Sequence, residues 1–145
     1  MRISFARAAL AGCAMAALLS TAPASAETVQ LKAELKSSSE VPPVQSAGTG
    51  RMTGTYDTAS KKLTWQGNYS GLSGNATAAH FHGPAEPGKN AGVVVPLKET
   101  GASFSGNADL TDAQAADLLA GRWYLNVHTQ ANPGGEIRGQ VEKGS

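Results

Sequence analysis

Residues 50–69 read GRMTGTYDTASKKLTWQGNY. Gly50, Met52, Gly54 and Tyr56 alternate with Arg51, Thr53 and Thr55, and Leu63, Trp65, Gly67 and Tyr69 alternate with Thr64, Gln66 and Asn68. Successive side chains of a strand point to opposite faces, so strict period two gives each segment one face for a core and one for water. The residues between, 57–61, are turn formers, and the pair reads as an antiparallel hairpin. Met52 and Trp65 fall on the apolar face and are expected in the core.

The same pattern extends in both directions. Val29, Leu31, Ala33 and Leu35 alternate with Thr28, Gln30, Lys32 and Glu34, and further short segments at 76–82, 93–97, 102–108, 123–127 and 137–141 read as strands. Pro96 places the 93–97 segment at a sheet edge or a strand end, since proline cannot donate to a ladder. Residues 37–46, 83–92 and 130–135 read as loops. Thr111 and Gln114 fit a capping box, Ala115, Leu118 and Leu119 form an apolar stripe, and Gly121 suits a helix stop, which predicts one short helix near residues 112–120. The fold class is all-β: a Greek-key, immunoglobulin-like sandwich or flattened barrel of about eight strands, in one domain.

Residues 1–26 follow a different logic. Arg2 and Arg7 flank the start of an apolar run at 8–19, and small residues lead to Ala24, Ser25 and Ala26. This is the layout of a secretory signal peptide, and an apolar run of about 12 residues is too short to span a bilayer. Cleavage is expected after Ala26, leaving residues 27–145 as a periplasmic or secreted domain. Leu10, Ala11, Gly12 and Cys13 have the form of a short lipobox, which would instead lipidate Cys13, but the apolar run continues past that cysteine. Cys13 is the one cysteine of the chain, so the domain is expected to stand on its core without disulfides.

Twelve basic and eleven acidic residues are scattered along the chain. No basic patch suits nucleic acid, no basic amphipathic helix suits a membrane surface, and no transmembrane segment follows the signal. No G-x-S-x-G elbow or strand-to-helix phosphate loop supplies a nucleophile or a nucleotide site.

The chemistry that remains lies in three histidines, His80, His82 and His128. Alternation sends His80 and His82 to one face and Phe81 to the other. In the later segment Trp123, Leu125 and Val127 form the core set, so His128 leaves with Tyr124 and Asn126 on the non-core side. An H-x-H pair and a third imidazole make a three-nitrogen site suited to copper or zinc, with room for water or a substrate. The same residues equally suit a plainer role as polar groups that hold loops by hydrogen bonds. A shared metal requires imidazole nitrogens about 3–4 Å apart. Tyr124 and Asn126 read as partners that orient an imidazole, or as ordinary polar-face residues. Glu136 and Arg138 share a face and are expected to pair in water, which would add only about 0–1 kcal/mol. Asn132, Pro133, Gly134 and Gly135 read as a tight strand connection, with a second role as the rim of the histidine site.

HFHG at 80–83, WYLNVHTQANPGGEIRGQ at 123–140, SEVPP at 39–43 and the Ala120–Gly121 pair closely resemble the chordin-type (CHRD) domain. The resemblance runs from about Thr28 to Val141. It implies the fold and an extracellular setting, since the family is known from secreted bacterial proteins and from the animal protein chordin, which binds bone morphogenetic proteins. It implies no defined activity, and chordin's cysteine-rich modules have no counterpart here. A weaker likeness is to copper/zinc superoxide dismutase, an eight-stranded Greek-key sandwich. That likeness implies copper on His80, His82 and His128, with Arg138 guiding an anionic substrate; the metal-bridging histidine, the zinc set and the disulfide have no match. Three functions are therefore expected to compete: an exported copper- or zinc-binding domain, a module that recognises a protein or polymer with structural histidines, and a copper-only dismutase-like enzyme in which Arg138 is the one catalytic residue.

Overall fold

The computed structural model describes residues 25–98 and 100–144. The expected signal peptide, Cys13 included, lies outside these residues except for Ser25 and Ala26. Among the described residues nine strands and one α-helix follow in order, with a single 3-10 turn at Ser37–Ser39 after the first strand: β1 Thr28–Lys36, β2 Thr49–Asp57, β3 Lys62–Ser70, β4 Ala76–His82, β5 Val93–Pro96, β6 Ser103–Asp109, α1 Asp112–Leu119, β7 Tyr124–Thr129, β8 Ile137–Gln140 and β9 Glu142–Lys143. The strands form one antiparallel, nearly closed sheet in the order β5-β4-β7-β8-β1-β2-β3-β6, with β9 paired to β1. The all-β, single-helix expectation holds; β9 is an addition to it, a two-residue extension after the last predicted strand.

The hairpin of residues 50–69 is a full β2–β3 ladder, in which Gly54 and Gly106 face Trp65 from the strands on either side. Gly106 makes room for the indole, since a Cβ there would run into the Trp65 ring. Trp65 in turn meets Phe81 edge to face, with centroids 5.1 Å apart. Strands β3 and β4 are not neighbours in the ladder, so this contact is made across the interior by the curl of the sheet. Leu31, Leu35, Met52, Leu63, Phe104, Trp123, Leu125, Val127 and Ile137 fill the same core. The helix closes one end with Ala115 and Leu118 buried, and its capping box forms as expected: Gln114 N–H donates to the Thr111 hydroxyl and Thr111 N–H to the Gln114 side chain. Gly121 takes a left-handed φ of 73° just past the helix, which glycine adopts without steric cost. β5 is an edge strand with Pro96 at its end, as proline there requires.

Glu136 and Arg138 correct the sequence reading. They do not pair in water. Both side chains are buried, at 0 % and 2 % exposure, because loops fold over the outer face of β7 and β8. The Glu136 carboxylate accepts from the hydroxyls of Ser46 (2.5 Å), Ser73 (2.6 Å) and Thr129 (2.6 Å), from the Ser73 backbone N–H (2.8 Å) and from the Asn132 amide (3.2 Å). Desolvation pushes its pKa up, but these donors outweigh it and hold the carboxyl down at about 2. One acid thus ties three loops together. A carboxyl depressed in the folded state stabilises the protein above its ordinary pKa of 4.5 and ceases to do so as pH falls towards 2. Glu136→Gln is expected to cost at least about 2 kcal/mol in urea unfolding at pH 7, and the gap to wild type should shrink as pH is lowered from 5 to 2.

Candidate metal centre

Strand β7 lies between β4 and β8 and is buried along its whole length. Its inward residues Leu125 and Val127 join the core, so Tyr124, Asn126 and His128 must face outward. The register then assembles the site: Tyr124 stands opposite His82, Asn126 opposite His80, and His128 opposite Ala78. All three histidines leave the core side, as alternation predicts. They are less exposed than a polar outer face implies, since His82 and His128 are each only 9 % exposed. The segments that follow β4 and β7 fold back over them.

The three rings converge. One nitrogen from each lies within 4.8 Å of the others, and His80 Nδ1 is 3.0 Å from His128 Nε2. Two donors bound at 2.0–2.1 Å to one ion stand about 3.4 Å apart in a tetrahedral site and at most about 4.2 Å, so the His80–His128 pair is already close enough, while a pair at the 4.8 Å limit has to close by at least about 0.6 Å. His80, the most open of the three, forms the outer lip.

Hydrogen bonds to the far nitrogens set the ring orientations. His128 Nδ1 is 2.8 Å from the Pro133 carbonyl and His82 Nδ1 is 3.0 Å from the Ala91 carbonyl. A carbonyl only accepts, so both rings carry the proton on Nδ1 and turn Nε2 into the cluster. A backbone carbonyl on the far nitrogen is the arrangement that fixes tautomer and orientation in metal-ligating histidines. Desolvation, then the neighbouring His128 and His82, push the His80 pKa below 6.5. Desolvation lowers that of His82 as well, with Ala91 and Asn126 offsetting part of the effect. Neutral imidazole is the form a metal needs.

The surrounding residues divide the labour. Tyr124 stacks on His82 with ring planes 2° apart, and its hydroxyl donates to the Ala91 carbonyl that also receives His82. On the β8 side the Arg138 guanidinium lies 3.5 Å from the Tyr124 centroid. Arg138 donates to the Asn90 side chain and the Lys89 carbonyl, which pins the loop after β4. Asn126 Oδ1 is 2.9 Å from His82 Nε2. Tyr124 and Asn126 are thus partners of the histidines, as one sequence reading has it. The turn at 132–135 both connects β7 to β8 and supplies the Pro133 carbonyl to His128.

Sequence reasoning passed over Glu40. It is 5 % exposed, and among the described residues its Oε1 has no hydrogen-bond partner. Desolvation raises its pKa against the pull of Arg138 and Asn126. Its place within SEVPP, one of the motifs that carry the family resemblance, was the available signal. The carbonyls of Ala91 and Pro133 were invisible to side-chain pattern, because a backbone group acts through position alone.

The sequence model of the CHRD domain matches residues 31–141, which takes in all three histidines, Glu40, Asn126 and Arg138. The chain belongs to the CHRD-domain family. Comparison with curated proteins and with solved structures returns no match. Among the described residues no helix is long and apolar enough to cross a membrane.

The proton positions are directly measurable. Long-range 1H–15N correlation spectra of the metal-free protein at pH 7.5 are expected to report His82 and His128 as Nδ1–H tautomers. An Nε2–H tautomer at either ring would refute the carbonyl assignments.

Proposed function

We propose that this CHRD domain is an exported metal-binding domain, periplasmic or secreted, in which His80, His82 and His128 hold one copper or zinc ion. The observation that carries the reading is the pairing of two Nδ1–H groups with backbone carbonyls, which leaves Nε2 of His82 and of His128 free of proton in a cluster whose three imidazoles each bring a nitrogen within 4.8 Å of the others. Imidazole suits both metals, and three protein nitrogens leave a position for water or a small ligand. Export rests on the pattern of residues 1–26, with cleavage after Ala26.

The rival functions are weighed by the same contacts. A dismutase-like enzyme needs an arginine free to meet an anion, whereas the Arg138 guanidinium is buried and engaged with Asn90, Lys89 and Tyr124. A module that binds a protein or polymer, with purely structural histidines, would use the direct His80–His128 hydrogen bond as its end in itself. Titration of the purified protein with Cu2+ and with Zn2+ separates these. The metal reading predicts one ion per chain bound at micromolar concentration or below, with His82→Ala and His128→Ala each weakening binding by at least about 100-fold while the circular dichroism spectrum stays that of a folded β protein. Absence of uptake of either metal, or uptake indifferent to both substitutions, would leave the histidines as structural groups.

A further inference from the structure

The contact between His82 and Asn126 does not balance as a hydrogen bond. His82 holds its Nδ1 proton against the Ala91 carbonyl, 3.0 Å away. A neutral ring then has a lone pair on Nε2, and the atom facing that lone pair at 2.9 Å is Asn126 Oδ1, a second acceptor. Turning the amide over would relieve the mismatch, but its other end is committed. Asn126 Nδ2 points to the Gly134 carbonyl at 3.5 Å and supports the Glu40 carboxylate. Glu40 Oε1 and Asn126 Nδ2 crowd the same spot over Gly135, where a Cβ would strike both. Gly135 has φ 127°, so the backbone too favours glycine there. A flipped amide would set its oxygen against Glu40 and Gly134, exchanging one acceptor pair for others. Two acceptors held face to face in a buried place call for a positive charge, either a proton on Nε2, which makes the ring an imidazolium that donates to both Ala91 and Asn126, or a metal ion beside the pair.

We propose that Asn126 is a fourth ligand of the metal centre, through Oδ1, completing a three-imidazole, one-carbonyl set with His80, His82 and His128. This rests on the three-histidine reading above and extends it to a residue that ordinary ligand patterns omit. The position follows from the fold: Asn126 pairs with His80 across β4 and β7 and is two residues from His128 on the same face. Two donors 2.9–3.0 Å apart subtend about 90° at an ion bound at 2.0–2.1 Å. Mixed N,O donors at such angles are the environment of tetragonal divalent copper. Glu40 is the positioning residue: its buried carboxylate lies on the Nδ2 side of the Asn126 amide, where an amide oxygen would be repelled, so the oxygen stays turned towards the histidines.

The test is copper binding and electron paramagnetic resonance on the purified wild-type, Asn126→Ala and Asn126→Asp proteins, with melting curves before and after addition of Cu2+. Asn126→Asp keeps an oxygen at the position and Asn126→Ala removes it. The expected result is an axial Cu2+ spectrum in wild type. Asn126→Ala should show a changed copper hyperfine splitting and an affinity about 10–100-fold weaker, a loss of the size that altered metal surroundings cause. Asn126→Asp should retain wild-type affinity or better it, and should gain more in melting temperature on copper addition than Asn126→Ala. If wild type and Asn126→Ala give the same spectrum and affinity, Asn126 is not a ligand and the three-histidine site stands without it. If wild type takes up no copper or zinc at all, the three-histidine reading falls and this proposal with it. Glu40→Gln serves where Asn126→Ala does not fold: it is expected to shift the copper spectrum in the same direction, and an unchanged spectrum counts against the proposal.

Discussion

Strand β7 is buried on both faces, and the organisation of the outer face follows from that constraint. Its inward row is ordinary core. Its outward row, Tyr124, Asn126 and His128, is polar and has at most 9 % of its surface exposed. A buried polar group left without a partner costs about 1–3 kcal/mol, so the loops that cover the row must also satisfy it. They do so largely with backbone: Pro133 receives His128, Ala91 receives His82 and Tyr124, and Gly134 lies at the limit of reach of Asn126. Two of the three imidazoles, His82 and His128, are oriented by the covering loops as much as by their strands.

Two buried charges then hold the loops in place, each with its own set. Glu136 gathers Ser46, Ser73, Thr129 and Asn132, fixing the turn that carries Pro133. Arg138 takes Lys89 and Asn90, fixing the segment that carries Ala91, and lies against Tyr124. Burial of charge is costly unless its hydrogen bonds are met. Here the cost is offset by contacts that give the histidine cluster a defined shape. The packed barrel supplies the stable wall, and these two residues couple that wall to the rim of the site.

Period-two alternation was readable for β1 to β4, β6 and β7, and it named the core, from Leu31 to Val127, together with the face on which each histidine lies. The capping box at Thr111 and Gln114 and the edge position signalled by Pro96 were equally local, and therefore legible. Alternation says which side a residue takes, but not what covers that side. Glu136 and Arg138 looked like a solvated pair for this reason: their shared face is correct and its burial by residues 40, 73 and 89–91, distant in sequence, is not encoded in their neighbourhood. Glu40 was overlooked on the same ground. Convergence of His128 with the H-x-H pair was a question of register between β4 and β7, which spacing along one strand cannot specify.

The claim on which the account turns is that three imidazoles bind one ion. X-ray absorption at the edge of the bound metal reads this most directly, because imidazole rings scatter in a pattern of their own. The account predicts about three imidazole nitrogens at 2.0–2.1 Å in the metal-loaded protein, falling by one in His82→Ala. A shell of oxygen donors without imidazole scattering, or one that is unchanged in His82→Ala, would contradict it.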